Sequence, residues 1–145
     1  MLVKHILQNK GRNIIVCRED AGLCEVAGTL ARHRIGALVV LDAGGTLAGI
    51  ISERDLVRAL AQDGPAALAQ PVRVYMSRQV TTCTECDTVG DLMETMTMGR
   101  FRHVPVMDEQ HGLVGMVSIG DVVKTHIAET VSEANSLRDY ISAPA

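Results

Sequence analysis

The sequence repeats itself along most of its length, and this repeat limits the folds that the chain can adopt. When residues 14–60 are placed on residues 80–126 without a gap, eleven of the 47 pairs are identical. Many other pairs exchange one apolar residue for another, as Leu23/Val89 and Leu30/Met96 do. A repeat of this length predicts a supersecondary unit, and we expect its two copies to pack across a pseudo-twofold axis with a cleft between them.

Composition and charge exclude several classes of function. Apolar residues make up 47% of the chain and charged residues 21%, which is typical of a soluble globular protein. There is no apolar run of about 18 residues, and the N-terminus lacks the apolar stretch of a secretory signal, so we expect a cytoplasmic protein without a membrane span. A net charge of −3 and a total of two Tyr, one Phe and no Trp argue against nucleic-acid binding.

Each copy has the pattern β-α-β-β-α. In the first copy we predict a helix capped by Asp20 and a helix starting at Ser52, with strands at residues 14–16, 37–41 and 47–51. In the second copy the predicted helices cover residues 89–98 and begin again at Ser118, and the strands cover 80–83, 104–107 and 113–117. Residues 3–7 form an apolar lead-in. The sequence therefore predicts an α/β (α+β) fold with a first repeat at 1–65, a second at 66–128 and a helical tail at 129–145.

The last helix is predicted to extend well beyond the second repeat. Its apolar seam follows alternating steps of three and four residues, at Val123, Ile127, Thr130, Ala134, Leu137 and Ile141. Such a seam either covers the helix's own domain or packs on a neighbouring subunit, and periodicity does not distinguish the two.

A Ser-x-x-Asp motif follows the last strand of each copy, at Ser52/Asp55 and Ser118/Asp121. A serine hydroxyl and free backbone N–H groups at a helix N-terminus favour an anion such as phosphate. The acid one turn later can accept both hydroxyls of a ribose. The same spacing is also that of an N-terminal cap, so the motif alone leaves both interpretations open.

A second element distinguishes the two copies. Arg102 and His103 stand at the start of a strand in the second copy, where the first copy has Gly36 and Ala37. The second copy thus supplies donors that suit phosphate oxygens, and the first leaves space.

These motifs together resemble a tandem pair of CBS (cystathionine-β-synthase) domains, often called a Bateman module, over residues 3–128. The resemblance rests on residues 35–40 (Ile-Gly-Ala-Leu-Val-Val) with 49–55, and on 103–108 (His-Val-Pro-Val-Met-Asp) with 115–121. It is similar to small bacterial stand-alone pairs that carry a C-terminal helical tail. The first repeat departs from the family pattern because Val39 stands where the second has Pro105.

The resemblance implies a regulatory module that binds AMP, ADP, ATP, S-adenosylmethionine or NAD(H) in the cleft between the repeats. The acids Asp121 and Asp55 would hold the ribose of two related sites. The residues implied near phosphates are Ser118, Ser52, Arg54, Arg102 and His103, with Lys10 as a further candidate. Backbone and apolar groups implied around adenine belong to Ala37, Ile50, Val104 and Met116. The family also implies a disc-like homodimer.

Other functions receive less support from the sequence. Cys83 and Cys86 form a C-x-x-C pair, but Cys17 and Cys24 are a poor second pair for zinc, and the position of the motif does not suit a thioredoxin-type site, so we predict inert cysteines and no metal. No nucleophile elbow, P-loop or dinucleotide fingerprint occurs, so we predict no catalytic residues and no enzyme. The alternative function is a scaffold or regulatory subunit that contacts an effector protein through its C-terminal helix, without a functional nucleotide site.

Overall fold

The computed structural model describes residues 1–142. The helices are α1 (Val3–Lys10), α2 (Leu23–His33), α3 (Glu53–Asp63), α4 (Val89–Gly99) and α5 (Ile119–Ser142). The strands are β1 (Val16–Arg18), β2 (Ala37–Leu41), β3 (Leu47–Ser52), β4 (His103–Met107) and β5 (Leu113–Ser118). Two short 3₁₀ helices, Gly64–Ala69 and Val72–Val74, follow α3. The predicted α/β (α+β) class is confirmed, and within the described residues no helix combines the length and apolar character that a membrane span requires.

The chain forms two compact units that differ from the expected division after residue 65. The first-repeat unit is Asn13–Thr81, and the second-repeat unit combines Met1–Arg12 with Thr82–Ala145. The N-terminal segment, which precedes the first repeat in the sequence, therefore packs with the second repeat. Residues 143–145 of the expected helical tail lie outside the described residues.

The first-repeat unit is built on a three-stranded sheet in the order β1-β2-β3. β1 pairs with β2 in parallel, and β2 pairs with β3 in antiparallel register, with Ala37 opposite Ser52. Helix α2 turns Leu23, Val26 and Leu30 into the core, at the three- and four-residue spacing that places side chains on one helix face. The sheet and α2 thus fix the position where β3 ends and α3 begins.

The second-repeat unit repeats this arrangement with a smaller sheet. β4 and β5 form an antiparallel pair with His103 opposite Ser118. Val89, Leu92 and Met96 of α4 pack in the core together with residues of α1. In place of the predicted strand at residues 80–83, only Cys83 makes a single parallel bridge to Val106.

Each repeat is completed by the segment that precedes the other repeat. In the second-repeat unit, Val3 N donates to Asp87 O at 2.9 Å; in the first-repeat unit, Val72 N donates to Ala21 O at 2.7 Å. Ala21 and Asp87 match across the repeats, so Val3 and Val72 have equivalent places. Leu7 is buried to 1% exposure, which explains why the lead-in folds as helix α1 rather than remaining an extended segment: its apolar face is buried in the second-repeat core.

The predicted cap of α2 is wrong. Helix α2 begins after Gly22, which makes no side-chain cap bond, and Asp20 lies two residues earlier. Leu23 N donates instead to Gln70 O at 2.9 Å, so a backbone carbonyl from the segment between the two 3₁₀ helices satisfies one of the free N–H groups at the helix start.

Candidate functional site

In the first-repeat unit the Ser-x-x-Asp motif forms a reciprocal cap at the junction of β3 and α3. Ser52 N donates to Asp55 Oδ2 at 2.9 Å, the Ser52 hydroxyl lies 3.1 Å from the same oxygen, and Asp55 N lies 3.4 Å from Ser52 Oγ. Arg58 Nη1 is 3.4 Å from the other carboxylate oxygen, Asp55 Oδ1. The serine and the acid therefore hold each other in place, as a capping box does.

In the second-repeat unit the same cap receives a cation from a distant part of the chain. Ser118 N donates to Asp121 Oδ2 at 2.9 Å, and Asp121 N donates to Ser118 Oγ at 3.2 Å. Lys10, the last residue of α1, places its Nζ 2.7 Å from Asp121 Oδ2 and 2.9 Å from the backbone oxygen of Met116. One ammonium group thus joins α1, β5 and α5.

The Asp121 carboxyl is kept in its charged form. Burial raises the pKa of Asp121, but the hydrogen bond and charge of Lys10 and the hydrogen bonds from Ser118 outweigh it, so the pKa lies below its ordinary value of 3.8. Asp121 is therefore anionic at neutral pH and presents acceptors only. This is the state that a ribose diol would require.

The residue that precedes β2 and the residue that precedes β4 are held by equivalent backbone hydrogen bonds. Glu53 N donates to Gly36 O at 3.0 Å, and Ile119 N donates to Arg102 O at 2.8 Å. These bonds bring Gly36 to the N-terminus of α3 and Arg102 to the N-terminus of α5. In each unit the Ser-x-x-Asp cap therefore lies at one end of the hairpin, beside this position, which holds Gly36 in the first repeat and the predicted donor Arg102 in the second.

The donors predicted for phosphate in the second repeat stand at this end. Arg102 is exposed and His103 is half-buried at the first position of β4. The Arg102 side chain makes no hydrogen bond or ion pair with any residue from 1 to 142. Its guanidinium is therefore available to a ligand without first breaking an internal contact.

The residues predicted around adenine differ in accessibility. The Val104 side chain is fully buried in the second-repeat core, which leaves its backbone as the part that a ligand could contact. Ala37 is also buried, at 4% exposure. Ile50 and Met116 are half-buried at matching positions of β3 and β5.

The structure thus brings several predicted residues into direct contact. Lys10, Met116, Ser118 and Asp121 are joined by hydrogen bonds in the second-repeat unit, and Ser52 is bonded to Asp55 in the first. Arg54 is exposed in the first turn of α3 and has no such contact within the described residues.

Two further residues were missed by the sequence reasoning. Arg58 pairs with Asp55, and its spacing of three residues on a helix was a readable signal. Ser77 exchanges backbone hydrogen bonds with Ile50, at 3.0 Å from Ile50 N to Ser77 O and 2.9 Å from Ser77 N to Ile50 O. Nothing in the local sequence indicates that pairing.

The four cysteines differ in burial: Cys83 is buried and Cys17 is half-buried. Burial raises the pKa of Cys83 to about 12 and that of Cys17 to about 11, so neither supplies a thiolate at neutral pH. Cys24 and Cys86 are exposed free thiols. Among residues 1–142 no group of three or more His, Cys, Asp or Glu side chains is placed to hold a metal ion.

Comparison with known proteins agrees with the fold of both units. The family profile of the CBS domain matches residues 3–62 and 72–127. The crystal structure of the CBS-domain containing protein ATU1752 from Agrobacterium tumefaciens is 50% identical, with a TM-score of 0.83 over 86% of this chain and 92% of that one.

Two similar structures contain ligands. The CBS domain protein PAE2072 from Pyrobaculum aerophilum, complexed with AMP, is 30% identical, with a TM-score of 0.73 over 83% of this chain and 89% of that one. The CBS domain pair of protein MJ0100, in complex with 5′-methylthioadenosine and S-adenosyl-L-methionine, is 29% identical, with a TM-score of 0.79 over 89% of this chain and 98% of that one. With two family matches that together span most of its length, the chain belongs to the CBS-domain family as a tandem pair.

Proposed function

We propose that this chain is a regulatory module that binds an adenosine-containing ligand at the strand–helix junctions of its repeats, and that it is not an enzyme. The observation that carries the proposal is the presence of adenosine ligands in two relatives that match nearly the whole chain. A ligand of this kind regulates by binding more tightly to one arrangement of the protein than to another.

In the proposed site of the second repeat, Asp121 binds the ribose hydroxyls. Its carboxylate is anionic and is held by Ser118 and Lys10, so little ordering is required when the sugar binds. Arg102 and His103, at the start of β4, would approach the groups attached to the sugar. In the first repeat Asp55, Ser52 and Arg54 have the corresponding roles, and the small Gly36 leaves space at the position of Arg102.

The adenine would lie against the backbone of the hairpin strands. The half-buried Ile50 and Met116 would supply aliphatic surface there, and the buried Ala37 and Val104 would contribute through their backbone. AMP, ATP and NAD(H) share the adenosine part that these groups would recognise. These groups would contact only the adenosine part, so they do not distinguish AMP, ATP and NAD(H). Discrimination among these ligands depends on the polar residues around the sugar.

Isothermal titration calorimetry with AMP tests the proposal. We expect Asp121→Asn to weaken AMP binding about 10- to 100-fold, because a charged hydrogen-bond acceptor for the ribose is lost. Arg102→Ala should weaken AMP binding as well, without changing the stability of the free protein. Asparagine is preferred to alanine at position 121 because its amide oxygen can still accept a bond from Ser118 N.

Asp91→Ala is the matched control. Asp91 is also an acid in the first turn of a helix, and its backbone N–H is capped by Thr88 at 3.0 Å, but it lies outside the proposed site. The assignment of the ribose to Asp121 would be contradicted if the Asp121 and Asp91 variants bound AMP as tightly as the unmodified protein. The proposed function itself would be contradicted if no adenosine ligand bound, or if neither Asp121→Asn nor Asp55→Asn weakened AMP binding.

Contact with another protein chain is the second candidate function. Helix α5 exposes a row of apolar side chains, and this row favours burial against a partner: Val123, Ile127, Val131, Leu137, Tyr140 and Ile141. A second copy of the chain, as in the homodimer that the family implies, or an effector protein would each cover it. Removal of residues 133–145 separates the functions, because a ligand module should keep its affinity for AMP while a scaffold should lose its partner.

A further inference from the structure

We infer that Lys10 makes the second repeat selective for an adenosine ligand that carries a negative charge next to its sugar. The inference rests on the proposed function and adds the chemical class of the ligand. It starts from the observation that a cation from α1 is bound at the acid proposed to hold the ribose.

The position of the Lys10 ammonium is fixed by two acceptors on different elements. Its Nζ lies 2.7 Å from Asp121 Oδ2 on α5 and 2.9 Å from Met116 O on β5. An ammonium group has three N–H donors, so these two contacts leave one donor for a ligand. The Lys10 side chain is 38% exposed, which gives that donor access to solvent.

This ion pair changes the charge that a ligand would meet. An isolated Asp121 carboxylate would repel a phosphate attached to the sugar that it binds. Lys10 cancels that charge, and its remaining donor offers a charge-assisted hydrogen bond to an anionic oxygen. A group attached to the ribose lies well within the screening length of about 8 Å at physiological ionic strength, so the effect is not lost to salt.

Among residues 1–142, no cation from another segment of the chain contacts Asp55 of the first repeat. Asp55 is paired with Arg58 of its own helix at 3.4 Å, and the Arg58 side chain is 73% exposed. The carbonyl of Ile50, which matches Met116, accepts from the backbone of Ser77 instead of from a lysine. The selectivity that depends on a cation bound at the ribose acid from another segment is therefore assigned to the second repeat.

The positive charge of Lys10 would distinguish between the two classes of ligand present in the relatives. AMP carries a phosphate on its ribose, whereas S-adenosylmethionine carries a sulfonium cation close to the same carbon and 5′-methylthioadenosine carries no charge there. We therefore assign the second repeat to a phosphorylated adenosine. The cationic ligand would be repelled by Lys10.

Calorimetric titration with AMP and with adenosine tests this assignment, since the two ligands differ only in the phosphate. The titrations use the full chain with Asp55→Asn, which weakens the first repeat so that the second is observed. We expect Lys10→Met to weaken AMP binding about tenfold and to change adenosine binding less than about threefold. Methionine keeps the length of the side chain and removes the charge.

Lys4→Met is the matched control, because Lys4 is an exposed lysine of the same helix and its side chain makes no ion pair within the described residues. It should leave both affinities unchanged. The salt dependence of AMP binding should also become weaker in Lys10→Met but not in Lys4→Met.

Four results would overturn the inference. An equal loss of affinity for AMP and adenosine would mean that Lys10 only orients Asp121, and tighter binding of both would mean that Lys10 competes with the ligand. Binding of AMP that disappears with Asp55→Asn would place the site in the first repeat, which leaves the proposed function intact. Absence of AMP and adenosine binding by the unmodified protein would remove the inference together with the proposed function.

Discussion

The outer edge of β3 in the first-repeat unit pairs with backbone, whereas the same edge of β5 in the second-repeat unit is contacted by a side chain. Ile50 exchanges two hydrogen bonds with Ser77, and the matching Met116 accepts one from Lys10 Nζ. Ser77 lies in the segment before the second repeat and contacts the first repeat. Lys10 lies in the segment before the first repeat and contacts the second. The hairpins, helices and Ser-x-x-Asp caps are otherwise alike.

The difference shows where two copies of one unit can diverge without loss of the fold. The two preceding segments share their buried positions, with Val3 matching Val72 and Leu7 matching Met76, and all four side chains are buried. Beyond those positions one segment continues as helix α1 to Lys10, and the other turns back at Ser77 to extend the sheet. The packing is thus retained, while the group presented to the candidate site has changed.

The glycines at this edge give the largest expected effect. A Cβ at Gly49 would lie 2.6 Å from the backbone oxygen of Ser77, whereas a Cβ at Gly115 would lie 2.7 Å from Cδ2 of Leu7. A methyl group of a side chain can move by a rotamer change, but a paired backbone cannot move without losing its hydrogen bonds. We expect Gly49→Ala to lower the free energy of unfolding by about 3 kcal/mol and Gly115→Ala by about 1 kcal/mol.

Urea denaturation monitored by circular dichroism measures both changes. Gly90→Ala is the control, because a Cβ at Gly90 in α4 meets no atom within 4 Å and alanine favours a helix, so stability should be unchanged or slightly higher. Equal losses at positions 49 and 115 would contradict the view that the two edges are built differently.

The repeated part of the fold could be predicted from the sequence, because its signals are local. The spacing of Leu23, Val26 and Leu30 defines one helix face, and a serine three residues before an aspartate defines a helix start; the structure has both. Errors occurred where tertiary contacts outweighed local preference. Asp20 is a good capping residue by type, yet α2 begins after Gly22 because Gln70 O reaches the helix start.

The candidate site could be predicted only in part for the same reason. Ser118 and Asp121 are close in sequence, so their cap could be read directly, but Lys10 contacts Asp121 across 111 positions of the chain. A local pattern carries no information on a contact of that separation. The family resemblance makes Lys10 a candidate for phosphate, but it does not predict the ion pair of Lys10 with the proposed ribose acid.

The acids of the two caps give a second, smaller effect. Because the pKa of folded Asp121 lies below its ordinary value of 3.8, its charge stabilises the fold above that pH, and the contribution is lost as the pH falls through the folded pKa. We expect Asp121→Asn to cost about 1 kcal/mol of unfolding free energy at pH 7. The difference from the unmodified protein should shrink toward zero as the pH falls below about 4 and through the lowered pKa of folded Asp121.

Denaturation at a series of pH values follows this difference. Asp55→Asn is the matched variant, and at pH 7 it should cost about half as much, because its ion-pair partner is an exposed arginine on the same helix. A difference between Asp121→Asn and the unmodified protein that stayed constant down to pH 2 would show that the charge of Asp121, and hence its pair with Lys10, adds nothing to stability.

The N-caps of the matching helices α2 and α4 give the smallest effect. Thr88 accepts from Asp91 N at 3.0 Å, whereas the equivalent Gly22 offers no oxygen, although its φ of −69° and ψ of 144° suit any residue. A Cβ at Gly22 would meet no atom within 4 Å, so Gly22→Thr should raise the free energy of unfolding by a few tenths of a kcal/mol, and Thr88→Gly should lower it by about as much. The shift of the denaturation midpoint at constant slope measures both. Gly22→Ala adds the Cβ without the hydroxyl and should not stabilise; if it matched Gly22→Thr, the gain would come from the unfolded chain rather than from a cap.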